Sequence, residues 1–88
     1  MMSEQIKVMV KKPDAEMFIT SIDNSLQAFQ TAVSGYIEVL PIGAGMAVIC
    51  NEDGRLSEPF NCEVNSHPLY GTLVIAGIDS AGNITSLC

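Results

Sequence analysis

The chain has 88 residues, of which 48% are hydrophobic, and a formal net charge of −6 at pH 7. Its four basic residues against ten acidic ones are too few for the phosphate contacts of duplex nucleic acid, which argues against that partner. The length predicts one domain over residues 1–88. The high apolar content of so small a domain predicts either a dense core or an apolar face covered by another subunit, and we expect a homo-oligomer.

No apolar run reaches the roughly 18 residues that a membrane-spanning helix needs. The first five residues lack the basic and apolar regions of a signal peptide. Cys50, Cys62 and Cys88 have no CxxC spacing, which favours free thiols in a reducing compartment. These features predict a cytoplasmic protein without a membrane partner.

Hydrophobic periodicity and turn residues predict six strands and one helix. The strands are predicted at residues 6–10, 16–20, 36–40, 46–50, 72–76 and 84–87. Asn24 is the predicted N-cap of a helix of about ten residues that ends at Gly35. Leu26, Phe29 and Val33 share one face of that helix. Residues 55–70 are expected to form a long irregular connection, and connections of that length are often functional.

The element order is ββαββ, a long loop, then ββ. It predicts an α+β fold, with a mainly antiparallel sheet of about six strands and one helix packed on one face. The strand at 46–50 is almost continuously apolar, so we expect it in the middle of the sheet, covered on both faces. The strand at 84–87 is expected at an edge. One helix cannot cover six strands, so the rest of the sheet is a candidate for a dimer contact or a ligand.

Two short motifs carry a family resemblance: the Gly-Tyr-Ile-Glu junction at residues 35–38 and the Asn-Glu-Asp-Gly turn at 51–54. With the pattern around them, from about residue 6 to residue 87, the chain resembles the domain of unknown function 3846, a family of bacteria, phages and mobile elements. The resemblance implies no activity and no catalytic residues. It implies an accessory protein, acting in the bacterial host cell, of the kind that blocks a host protein or sequesters a nucleotide signal of host defence.

The residues offer little for catalysis. The single histidine, His67, can be paired with Cys50 or Cys62 as base and nucleophile, but a solvated loop histidine is the favoured interpretation. A zinc site from His67 and the three cysteines lacks closely spaced ligand pairs. Glu52 and Asp53 are favoured as solvated turn residues. We therefore expect no enzyme, no metal and no cofactor.

A small nucleotide-type ligand requires an aromatic ring for stacking, polar groups for base edges and ribose, and a positive charge. The candidate ligand-binding residues are Tyr36, Asn51, Asp53, Arg55, Phe60, Asn61 and Tyr70. The aromatic residues are assigned to stacking, the two asparagines to base edges, Arg55 to a phosphate, and Asp53 or Glu38 to ribose hydroxyls. Core positions for Tyr36 and Phe60, and pairing of Arg55 with a neighbouring acid, are the structural alternatives.

The first functional hypothesis is therefore a non-enzymatic accessory binding protein with an anti-defence role, which sequesters a small nucleotide-derived signal. The alternative hypothesis is a protein-interaction module that inhibits a host protein through an apolar sheet face or an edge strand. An acidic surface suits a basic partner.

Overall fold

The computed structural model describes residues 4–87. Its strands are β1 (Gln5–Lys11), β2 (Phe18–Asp23), β3 (Ile37–Gly43), β4 (Met46–Asn51), β5 (Phe60–Val64), β6 (His67–Tyr70), β7 (Leu73–Ile78) and β8 (Ile84–Thr85). Its helices are α1 (Leu26–Val33) and the single turn α2 (Gly54–Ser57). The predicted α+β class is confirmed.

The main sheet is antiparallel and has six strands. Five of them lie in the order β2-β1-β7-β4-β3, and β8 pairs with the end of β7. The second sheet is the β5–β6 hairpin. The predicted central position of the apolar strand is confirmed, because β4 lies between β3 and β7 and its residues Ala47, Val48, Ile49 and Cys50 are all buried.

The two faces of the main sheet carry separate apolar cores. On one face Phe29 and Val33 of α1 pack against Val8, Ile49 and Val74. Side chains alternate between faces along a strand, so the neighbouring strand residues point to the opposite face. There the β5–β6 hairpin covers β3, β4 and β7.

The second core lies beneath that hairpin. Leu69 of β6 is buried with Val48, Cys50 and Leu73 of the main sheet. The hairpin thus covers β3, β4 and β7 on the face opposite α1. Within residues 4–87, no hairpin or helix packs over β1 and β2 on this face.

Both ends of α1 differ from the prediction. Ser25, not Asn24, is the N-cap, and its side chain accepts a hydrogen bond from the Ala28 N–H. The Asn24 side chain instead donates to the Ile84 carbonyl at 2.9 Å, which ties the helix start to β8. Ser34 rather than Gly35 adopts the left-handed conformation after the helix, with φ 63°.

Several predicted strand boundaries are wrong, and two of them concern the edge strands of the main sheet. The second strand was expected at residues 16–20 but spans Phe18–Asp23. The third strand was expected to stop before Pro41 but continues to Gly43. Pro41 is tolerated because β3 is at the edge of the sheet, where a missing backbone N–H costs no ladder bond.

The predicted irregular connection at 55–70 is also wrong, because this segment folds into α2 and the β5–β6 hairpin. Asn65 and Ser66 join the two strands, with φ 51° and 68°. Two consecutive positive φ values are typical of the type I′ turn, whose twist matches that of a hairpin.

The predicted edge strand at 84–87 is shorter than expected, because β8 spans Ile84–Thr85 and has β7 as its one ladder partner, and residues 86 and 87 do not leave a free edge. β8 pairs with β7 on one side. On the other side the Leu87 N–H donates to the Lys7 carbonyl and the Lys7 N–H donates to Ser86 Oγ, each at 2.9 Å. The backbone of this segment is therefore engaged on both sides. Within residues 4–87, neither helix combines the length and the apolar character needed to cross a membrane.

Candidate functional site

A cleft of ≈ 340 Å³ opens where the β5–β6 hairpin meets the end of the β3–β4 pair. We call it the hairpin cleft. Its walls are formed by Glu38, Cys50, Asn51, Glu52, Arg55, His67, Pro68, Leu69 and Tyr70. The volume lies near the lower end of the roughly 300–1,000 Å³ that small-molecule sites occupy, so the cleft suits a small ligand.

Asn51 holds the base of the cleft in place. Its amide Nδ2 donates to the Val33 and Ser34 carbonyls at 3.2 and 3.3 Å, which satisfies carbonyls at the end of α1. Its Oδ1 accepts the Asp53 N–H at 2.8 Å, forming a turn. The Asn51 side chain is thus committed to structure, and its polar atoms are occupied within the fold.

Gly54 brings α2 against β6. It is buried, and a Cβ at this position would lie 3.0 Å from the Tyr70 carbonyl oxygen. Only glycine permits that approach without a shift of backbone. The next residue, Arg55, is exposed at the rim of the cleft. Among the described residues its guanidinium forms none of the side-chain hydrogen bonds that organise this turn.

Carboxylates outnumber permanent positive charges around the cleft. Glu38 and Glu52 bring two carboxylates, and Arg55 and His67 bring a guanidinium and an imidazole. Tyr70 adds a half-buried aromatic ring. The single guanidinium of Arg55 can bind one anionic group, and further negative charges on a ligand would meet the carboxylates.

Cys50 lies at the buried floor of the cleft. Burial, and secondly the Glu38 carboxylate, raises the pKa of its thiol from 9.0 to about 11. The thiol is therefore neutral at pH 7, and its Sγ donates to the Glu38 carbonyl at 3.7 Å. A reactive cysteine needs a lowered pKa, so this environment disfavours Cys50 as a nucleophile.

Of the seven residues proposed from the sequence, Asn51, Arg55 and Tyr70 line the hairpin cleft. Phe60 lies behind Tyr70, with the ring centroids 5.7 Å apart at 77°, and thereby supports the orientation of that ring. Tyr36 is 70% exposed and lies in a different depression, beside α1. The structure does not bring Tyr36 together with Tyr70.

The other two proposed residues lie outside the cleft; the Asn61 side chain has structural contacts, whereas that of Asp53 forms no cap hydrogen bond. Asp53 is the N-cap residue of α2 and is exposed. Asn61, in β5 of the hairpin, is half-buried, and its Nδ2 donates to the Lys11 carbonyl at 2.9 Å and to the Gly71 carbonyl at 2.8 Å. Neither residue lines the hairpin cleft.

Glu52 and His67 line the cleft but were assigned no ligand role from the sequence. The sequence predicts a loop position for His67, whereas this residue begins β6 opposite Val64. The signal for its position is the two-residue Asn65-Ser66 turn, because alternation from that turn places His67 on the same face as buried Leu69.

A second concavity, of ≈ 280 Å³, lies on the uncovered part of the sheet. We call it the open-face groove. Met9, Ile19, Met46 and Leu87 give it an apolar lining, and Lys7 adds one charge. Among residues 4–87, no group of three or more His, Cys, Asp and Glu side chains is placed to hold a metal ion.

The model of one family, described as Domain of unknown function (DUF3846), matches residues 6–88. No curated protein and no solved structure matches the chain. The family match covers nearly the whole length, including both sheets and both helices. The chain therefore belongs to the DUF3846 family.

Proposed function

We propose that this protein is a non-enzymatic binding protein that sequesters a small nucleotide-derived molecule in the hairpin cleft. The observation that supports this most is the grouping of Tyr70, Arg55 and two carboxylates around one small cleft. An aromatic ring stacks on a base, a guanidinium binds a phosphate, and carboxylates accept hydrogen bonds from ribose hydroxyls.

The charge of the cleft narrows the ligand class. Arg55 supplies one permanent positive charge, while Glu38 and Glu52 oppose additional phosphates. A mononucleotide or a cyclic mononucleotide therefore fits better than a triphosphate. The neutral Cys50 thiol agrees with binding without chemistry.

The biological role that we propose is anti-defence. A phage or mobile-element protein that binds a nucleotide signal in the cytoplasm of a bacterial host lowers the free concentration of that signal. This role rests on the setting of the family and on the chemistry of the cleft.

The experiment is a thermal-shift screen with ribonucleoside monophosphates, their cyclic forms, the nucleosides and ATP. A ligand at a hundred times its Kd stabilises the fold by about 2.7 kcal/mol. For a domain of this size each kcal/mol raises Tm by roughly 4–8 °C. We expect a mononucleotide to raise Tm more than its nucleoside or its triphosphate does.

The matched variants are Arg55→Ala and Lys12→Ala, because each removes one exposed positive charge and only Arg55 lines the cleft. Losing one charged hydrogen bond weakens binding by about 10- to 100-fold. We expect this loss in Arg55→Ala alone. Equal effects of the two substitutions, or no stabilisation by any mononucleotide, would rule the site out.

A second candidate function, inhibition of a host protein, is favoured by the apolar open-face groove. A partner side chain or peptide fits such a surface better than a nucleotide does. Lys7→Glu changes the groove and Lys12→Glu makes the same charge change in an exposed turn. If the wild type and Lys12→Glu retain a host protein and Lys7→Glu does not, the result favours inhibition of a host protein. Equal retention by both variants would rule out the groove as the binding surface.

A further inference from the structure

The two edges of the main sheet differ in how they are protected. β3 contains Pro41 and the exposed charge of Glu38, and its register shifts between Pro41 and Gly43. Proline, charge and a bulge are the usual devices that stop an edge strand from pairing with another chain. β2, at the opposite edge, lacks lysine and proline and pairs with β1 in unbroken register.

The hydrogen bonds of β1 determine which β2 groups face outward. Lys7 directs its N–H to Ser86 Oγ and its carbonyl to the Leu87 N–H, so both groups point away from β2. Lys7 is the partner of Ser21. In an antiparallel ladder the partner then points its own N–H and carbonyl outward, and so does every second residue. Among the residues that the structure describes, the outward backbone groups of Ser21 and Ile19 therefore have no partner at the edge.

Exposed apolar side chains concentrate at the same edge. Met17 is 46% exposed, Phe18 47% and Ile19 65%. Three consecutive large apolar side chains in solvent are typical of an interface. Phe18 points to the face of α1 and Ile19 to the face of the open-face groove.

We propose that β2 pairs antiparallel with β2 of a second copy of this chain, with Thr20 on the two-fold axis. Such an axis is perpendicular to the sheet, so residues that pair must point to the same face. With Thr20 on the axis, Phe18 of one copy lies opposite Ile22 of the other. The outward backbone groups of Ile19 in one copy then face those of Ser21 in the other. Aromatic and β-branched pairs of this kind stabilise a sheet.

The partner is a second copy because the edge is complementary to itself and because, of the two edges of the six-stranded sheet within residues 4–87, only β2 lacks the protecting features of β3. Pairing through β2 closes into a dimer, whereas two open edges would allow fibres. Asp23 is the only charge in β2, and in this register it lies opposite Met17 rather than another acid. The hairpin cleft lies at the opposite edge of the sheet, so dimer formation and ligand binding are tested independently.

The first test measures mass by light scattering over a range of protein concentrations. The wild type is expected to approach twice its chain mass of 9.4 kDa. Ile19→Lys introduces the charge that protects natural edges and is expected to remain at 9.4 kDa. Leu56→Lys is the matched control, since Leu56 is 81% exposed in α2; it should dimerise like the wild type. A monomeric wild type, or equal behaviour of the two variants, would overturn the proposal.

The second test determines the register with one added cysteine in a Cys62→Ser, Cys88→Ser background, in which the buried Cys50 is the one native cysteine that remains. Two residues opposite each other without ladder hydrogen bonds have Cα atoms about 4.5 Å apart, which a disulfide spans. Thr20→Cys is therefore expected to form a covalent dimer on mild oxidation, and Ser21→Cys is not. Cross-linking of Ser21→Cys instead would overturn the register, and no cross-link in either variant would overturn the β2 interface.

Discussion

Asn61 is expected to stabilise the fold rather than to bind a ligand, and Asn61→Ala tests this. The side chain joins the hairpin to β1 and to Gly71 through two bonds from Nδ2, at 2.9 and 2.8 Å. Its Oδ1 is buried and has no hydrogen-bond partner among the described residues. Removing the side chain leaves two carbonyls without their donor.

The magnitude follows from these bonds. Each contributes about 0.5–1.5 kcal/mol net, and a buried acceptor left without a donor adds about 1–3 kcal/mol. Loss of the unsatisfied Oδ1 offsets part of this cost, so we expect about 2–3 kcal/mol of destabilisation. In a domain of this size such a loss lowers Tm by roughly 10–20 °C.

The assay is urea unfolding followed by circular dichroism, with Gln27→Ala as the control because Gln27 is an exposed polar residue of α1. Asn61→Asp keeps the shape but cannot donate when ionised. Its stability should therefore fall as pH rises through the carboxyl pKa and recover in acid. If Asn61→Ala costs less than about 0.5 kcal/mol, the two bonds do not hold the hairpin in the way we argue.

Three further changes test other parts of the fold. Burial, and secondly Glu38, raises the pKa of the Cys50 thiol from 9.0 to about 11, so the thiol ionises more readily in the unfolded chain and the free energy of unfolding should fall as pH rises from 9.0 to about 11. Urea unfolding measures this, and an equal fall in Cys50→Ala would contradict it. Ser25→Ala removes the side-chain cap of α1 and should lower the free energy of unfolding by about 0.5–2 kcal/mol. An unchanged Tm would show that Ser25 does not cap the helix. Gly77→Ala places a Cβ 2.6 Å from the Ser86 carbonyl and should cost about 1–3 kcal/mol; a wild-type Tm would refute the close contact of β7 with residue 86.

Composition and periodicity were enough to predict the centre of the fold. Residues 46–50 are apolar without interruption, and such a run is typical of a strand covered on both faces. The hairpin was not predicted because its turn, Asn65-Ser66, contains no glycine and because Pro68 interrupts the second strand. Proline is tolerated there because β6 has a single neighbouring strand.

The candidate site was predictable only in part. Asn51 and Arg55 are close in sequence, so their proximity follows from the turn between them. Tyr70 reaches them because the hairpin docks on the sheet through Leu69, and no local pattern specifies that docking. Tyr36 precedes β3 and lies beside α1. Residue spacing alone could not distinguish this position from one in the cleft.

Ligand release shows directly whether the hairpin cleft binds a nucleotide-derived molecule. Wild type, Arg55→Ala and Lys12→Ala are incubated with extract from bacteria whose nucleotide-signalling defence is active, re-isolated and denatured by heat, and the supernatant is analysed by mass spectrometry. We expect an intact nucleotide from wild type and Lys12→Ala but not from Arg55→Ala. Release of no nucleotide from the wild type, or of equal amounts from all three proteins, would contradict it.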